Sequence, residues 1–201
     1  LNNLAELLQS TNRLAEAEPL LRRALEIGET SLGSAHPTVA ATLNNLARLL
    51  QDNKRPAEAE PLLRRALEID ESSFGPEHPK VALRLNNIAG LLQDTNRPAE
   101  AEPLMRRALV IDETSFGSEH PEVATDLNNL ARLLQATNRP AEAEPILRRA
   151  LEIFVKFTRA TGHPHLHLQT VRNNYAGLLG AMGRSREEIR ATLHEMAPEF
   201  F

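Results

Sequence analysis

Apolar residues recur at three- and four-residue spacing, which places them on one stripe of an α-helix. Between residues 37 and 53 the stripe is Val39, Leu43, Leu46, Ala47 and Leu50, and this stretch is termed helix A. Between 56 and 74 it is Ala59, Leu62, Leu63, Ala66, Leu67 and Ile69, with Glu60, Arg64 and Glu68 four apart on the other face, and this stretch is helix B. In Asn96-Arg97-Pro98, between A and B, the proline stands where a helix can begin, because a first-turn amide has no intrahelical partner. Between B and the next A, Gly75 is expected in a left-handed C′ position and Pro79 in the first turn of the following helix. Gly33, Gly117 and Gly162 recur in the same role. Pro19, Pro61, Pro103 and Pro145 lie inside helix B, where an interior proline costs about 3 kcal/mol, so a bend or a frayed first turn is expected in each copy.

The pattern is periodic. Leu1-Asn2-Asn3-Leu4-Ala5 returns at Leu43, as Leu85-Asn86-Asn87-Ile88-Ala89, and at Leu127, a period of 42 residues. Residues 43–84 and 85–126 agree at 31 of 42 positions without a gap. A fifth copy, Arg172-Asn173-Asn174-Tyr175-Ala176, follows after 45 residues and lacks the Ala-Glu-Pro and Arg-Arg signatures in its second half, as a capping unit would. One helical hairpin cannot bury both of its stripes, so the copies must stack. The fold expected is all-α, an α-solenoid of stacked antiparallel helix pairs in a single array over 1–201, with repeats at about 1–36 (first helix truncated), 37–78, 79–120, 121–163 and 164–201. Because residue 1 falls inside helix A, the chain reads as part of something larger.

Of the 201 residues 41% are hydrophobic and only 3% aromatic, so the core is aliphatic. A net charge of −4, one Tyr and no Trp supply neither the basic field nor the stacking groups that nucleic acid needs. Without cysteine there is no thiolate nucleophile, iron–sulfur cluster or cysteine-ligated zinc. No apolar run approaches the roughly 18 residues of a membrane span. The expectation is a cytoplasmic protein with no membrane contact, no metal and no cofactor.

The spacing Leu43, Leu46, Ala47, Leu50, Ala59, Leu63, Ala66 resembles the tetratricopeptide repeat. The 42-residue unit, with Leu-Asn-Asn-Leu-Ala in A, Ala-Glu-Pro-Leu-Leu-Arg-Arg-Ala-Leu-Glu-Ile in B and Gly-x-x-His-Pro between copies, is similar to the repeats of kinesin light chains over residues 1 to about 180. The resemblance implies a right-handed superhelix whose A helices line a concave groove for extended peptides or partner segments. It also implies a scaffold rather than an enzyme. No Ser-His-Asp set, phosphate loop or carboxylate pair stands out, and a catalytic pocket is asymmetric whereas the polar positions here are copied. No catalytic residue is therefore assigned.

The candidate groove residues follow from helix geometry. Opposite the stripe of Leu43, Leu46 and Leu50 project Asn44 and Asn45, beside Arg48 and Gln51. Their equivalents are Asn86, Asn87 and Gln93, then Asn128, Asn129, Arg132 and Gln135. A ladder of Asn3, Asn45, Asn87, Asn129 and Asn174 offers donors and acceptors to a peptide backbone. The other reading is that one Asn of each pair bridges adjacent helices and the second meets the ligand. Arg48 and Arg132 alternate with Gly90 and Gly177, a variation that would tune specificity toward acidic groups. Arg22-Arg23, Arg64-Arg65, Arg106-Arg107 and Arg148-Arg149 read as structural partners of glutamates four residues away. His36, His78, His120 and His163 read as turn or cap residues, and Pro164 as a helix start. Two further functions stay open: assembly, including self-association through the truncated N-terminal end, and regulation of an effector domain in a larger bacterial protein.

Overall fold

The computed structural model describes Leu4, Leu7, Leu8, Thr11 and residues 13–200. The groove position expected at Asn3 lies outside the described residues. Among the described residues there is no strand, and from Leu14 onward nine helices follow one another: α1 (Leu14–Leu32), α2 (Pro37–Asp52), α3 (Pro56–Phe74), α4 (Pro79–Asp94), α5 (Pro98–Phe116), α6 (Pro121–Ala136), α7 (Pro140–Thr161), α8 (Leu168–Ala181) and α9 (Arg186–Met196). Odd-numbered helices are B helices and even-numbered ones A helices. The chain forms two compact units, residues 1–104 and 105–201, with the division falling within α5.

In the first unit Val39, Ala40 and Leu43 of α2 pack with Ala66 and Ile69 of α3, and Leu25 of α1 and Leu62 close the cluster. Helix A therefore meets both its own B helix and the preceding one. In the second unit Leu127, Leu130 and Leu134 of α6, Leu147, Leu151 and Phe154 of α7 and Tyr175 of α8 are buried in the same way.

Helix starts carry the repeated histidine. His36, His78 and His120 are N-caps with extended backbones, and each Nδ1 accepts from the backbone N–H two residues on, of Thr38, Lys80 and Glu122, at 3.2 Å. Phe74 stacks on His78 at 4.8 Å and Phe116 on His120 at 4.7 Å, tying the end of each B helix to the next A. In the last copy this role passes to His165 rather than His163: its Nδ1 accepts from His167 N–H at 3.2 Å and its ring stacks on Phe154 at 4.5 Å. The 45-residue step from His120 leads to His165. Pro164 does not begin a helix, since α8 starts at Leu168.

Two expectations about turns are corrected. Gly33 and Gly75 adopt φ 91°, ψ 152° and φ 90°, ψ 156°, an extended positive-φ region open essentially to glycine alone, whereas Gly162 takes the left-handed helical conformation at φ 72°, ψ 3°. The first turn of helix B is not frayed: α3 runs from Pro56 to Phe74 through Pro61, and that turn is closed by Glu58 and Ala59 N–H groups on Arg55 C=O at 3.2 and 3.3 Å. Pro61 is exposed, so the Ala57 carbonyl that loses its donor faces the solvent side.

Candidate functional site

In the first unit the amide pairs lie on the flank of the A helices. Leu43, Leu46, Ala47 and Leu50 are at most 1% exposed, which fixes the rotation of α2 and leaves Asn44 and Asn45 half-buried and Arg48 exposed. On α4, Leu85, Ile88 and Ala89 do the same for Asn86 and Asn87. Asn87 Nδ2 donates to Asn44 Oδ1 at 2.6 Å and so joins the two A helices directly. Around this pair opens a recess of about 470 Å³ whose wall includes Arg48, Gln51, Asn86, Gly90 and Asp94, with Leu83 as an apolar member. Leu83 is 53% exposed and stands where the other copies have the smaller Ala41, Thr125 and Thr170. Gly90 has open space where a Cβ would stand. Asn44, Arg48, Gln51, Asn86 and Asn87 are thus brought together, while Asn45 and Gln93 are half-buried outside this wall.

The second unit repeats the bond. Asn174 Nδ2 on α8 donates to Asn128 Oδ1 on α6 at 2.8 Å. Asn128 is 9% exposed and acts as a buried acceptor. Gln135, Asn173, Asn174 and Gly177 line a second recess of about 470 Å³. Asn129 is half-buried and Arg132 exposed, and neither belongs to that wall. In both units the first Asn of one copy therefore pairs with the second Asn of a later A helix.

Sequence reasoning missed three groups that hold the copies in register. Arg55, just before α3, bridges Glu18 of α1 at 2.6 Å and Glu58 of α3 at 2.7 Å, and Arg97 bridges Glu60 and Glu100 at the same two distances. These guanidinium hydrogen bonds hold the carboxyls of Glu18 and Glu60 below the ordinary range. The signal was present as an Arg at every 42nd position with Glu three residues later. Secondly, the Arg pairs divide their work. Arg64 bonds Glu60 within its helix at 2.7 Å, whereas Arg65 reaches Glu29 of α1 at 2.6 Å.

The third group is buried. Arg84 Nε of α4 donates to Asp70 Oδ2 of α3 at 2.7 Å, with 8% and 1% of the side chains exposed. One period later the same two positions are Asp112 and Asp126, two carboxyls buried together. Burial pushes Asp112 up to about 6, against a hydrogen bond with Asp126 that acts the other way. Among the described residues no cluster of three or more His, Asp or Glu stands in a metal-holding arrangement, and no helix is long and apolar enough to cross a membrane.

The repeated helix pairs have a counterpart among known families. The tetratricopeptide repeat model matches residues 1–72, 38–114 and 82–154. The chain belongs to the tetratricopeptide repeat family. Such repeats are generally protein-interaction modules and non-catalytic scaffolds. The nearly identical TPR-like repeats of a kinesin-light-chain-type protein from Podosopora anserina share 27% identity, with a TM-score of 0.78 over 97% of this chain and 90% of that one. BtubC (BKLC) from P. vanneervenii shares 25% identity, with a TM-score of 0.77 over 95% of this chain and 78% of that one. YrrB, a TPR protein with an unusual peptide-binding site, shares the fold at 16% identity and a TM-score of 0.55, over 98% of this chain and 85% of that one. No curated protein sequence matches the chain. The repeats are of the kinesin-light-chain-like type within an all-α solenoid fold.

Proposed function

We propose that the chain is a non-catalytic interaction module that binds an extended peptide or partner segment along the A helices, with repeats bounded near residues 37, 79, 121 and 164 as its units. The observation that carries this reading is the Asn44–Asn87 pair at 2.6 Å on the wall of a recess shared with Arg48 and Gln51. The bond uses one oxygen and one N–H, and each amide has further capacity for a peptide backbone. A row of amides pairs with main chain without demanding a side-chain sequence, and the positions that differ between copies, Arg48 against Gly90, then select the side chains. In this reading Asn45 belongs to the row of the first unit, and Asn129, Arg132 and Gln135 to the corresponding row of the second.

Peptide display on the wild-type chain, beside an Asn44→Ala/Asn87→Ala variant and an Arg48→Glu/Gln51→Ala variant, tests it after circular dichroism melting shows equal folding. Enriched peptides that both variants lose support the groove. If folded wild type enriches nothing, or the variants bind as well as wild type, the amides are architectural and the reading fails.

A further inference from the structure

The last helix pair carries a second surface whose chemistry differs from the groove. Ser185 caps α9 through Glu188: the Ser185 hydroxyl accepts from Glu188 N–H at 3.2 Å and Glu188 Oε2 accepts from Ser185 N–H at 2.7 Å. This engages the Glu188 carboxylate at the cap. Beyond α9 the chain is held by Arg159, which pairs with Glu199, and by Ala197, which is fully buried. These anchors place Phe200 beside α8 and α9, where it closes a recess of about 470 Å³.

The recess has an apolar floor and a cationic rim. Ala176, Ile189, Leu193 and Phe200 form the floor, and Arg172, Arg186 and Arg190 stand around it. Among the described residues no carboxylate lines it. Arg172 bonds Gln169 Oε1 at 3.2 Å. In the preceding copy of the same unit, Leu127 and Ala131, the counterparts of Arg172 and Ala176, are 2% and 0% exposed, whereas Arg172 and Ala176 are half-buried.

Charge and spacing identify the occupant. Three arginines over an apolar floor complement a ligand that is apolar on one face and anionic at its edges. Arg186 and Arg190 are one helical turn apart, as are Ile189 and Leu193. Residues four apart on α9 form a ridge, and the groove beside such a ridge takes the i±4 row of side chains of a second helix. We propose that the recess between α8 and α9 docks an acidic amphipathic helix of a partner protein.

The probe is a fluorescein-labelled helical peptide with leucines at i, i+3, i+4 and i+7 and glutamates flanking them, titrated against the full 201-residue chain by anisotropy. Companion peptides replace the glutamates by lysine or the leucines by serine. The expected result is binding at least about tenfold tighter for the acidic peptide than for either companion, weakened as salt rises from about 50 to about 300 mM. Arg186→Glu/Arg190→Glu lowers that affinity about tenfold or more, and Ala176→Glu, which adds a carboxylate to the floor, does the same should the double variant not fold. Gln51→Ala in the first unit leaves it unchanged, which separates this site from the groove. Equal binding of acidic and basic peptides, or variants that bind like wild type, overturns the proposal. So does light scattering that shows a dimer broken by Arg186→Glu/Arg190→Glu, because the occupant is then a second copy of the chain.

Discussion

Replacing Asp112 by Asn tests whether the buried carboxyl pair opposes folding at neutral pH. Asp112 and Asp126 are 6% and 2% exposed, and Asp112 Oδ1 has no hydrogen-bond partner among the described residues. The carboxyl is held at about 6, chiefly by burial, with Glu122 adding to the rise and His120 opposing it. The folded chain therefore keeps this proton to about pH 6, while the unfolded chain, at the ordinary 3.8, releases it about two pH units earlier. Between the two values the native state binds more protons, so unfolding free energy falls as pH rises from about 4 to about 6 and stays low above that. At about 1.4 kcal/mol per pH unit, the cost at neutral pH is about 3 kcal/mol. Asp112→Asn removes the ionisable group while keeping its shape. Urea unfolding of both proteins from about pH 4 to about 7.5, followed by circular dichroism, measures the difference and cancels carboxylates common to both, such as Glu18 and Glu60. The variant should be more stable by about 1 to 3 kcal/mol at about pH 7.5, with an advantage below about 1 kcal/mol at about pH 4. An advantage independent of pH, or a variant less stable than wild type at the upper end of the range, refutes the reasoning.

The matching junction one period earlier should respond in the opposite way. Arg84→Met leaves Asp70 buried without its partner and should cost about 3 to 5 kcal/mol in urea unfolding, most of it recovered in Asp70→Leu/Arg84→Met. Lys54 stands at φ 60°, where other copies have Asn96, Asn138 and Gly183, so Lys54→Gly should raise stability by about 1 kcal/mol, read as a higher melting temperature.

The hairpins were legible because their signals are local. Val39, Leu43, Leu46 and Leu50 mark a helical face without reference to any other part of the chain, and Pro79 marks a helix start because a backbone amide there has no partner. The histidine cap was legible in kind but misplaced in the last copy: His163 precedes a proline, yet the ring of Phe154 fixes His165. Interior prolines misled for a related reason. The first turn does not fray, because Glu58 and Ala59 N–H groups close it on Arg55 C=O and the exposed Ala57 carbonyl that Pro61 leaves without a donor is open to solvent, features set by the folded hairpin.

The sequence by itself determined the period, the A and B faces and the family, because periodicity and turn chemistry act within a few residues. The tertiary structure decided which amide meets which. Asn44 and Asn45 are equivalent in one helix, and only the placement of α4 against α2 pairs Asn87 with Asn44. Stacking likewise brings the same two positions together and buries them, Asp70 against Arg84 and, one period later, Asp112 against Asp126. These contacts join residues 14 to 46 positions apart, and their energy depends on a distance and a degree of burial that arise only when one hairpin packs on the next.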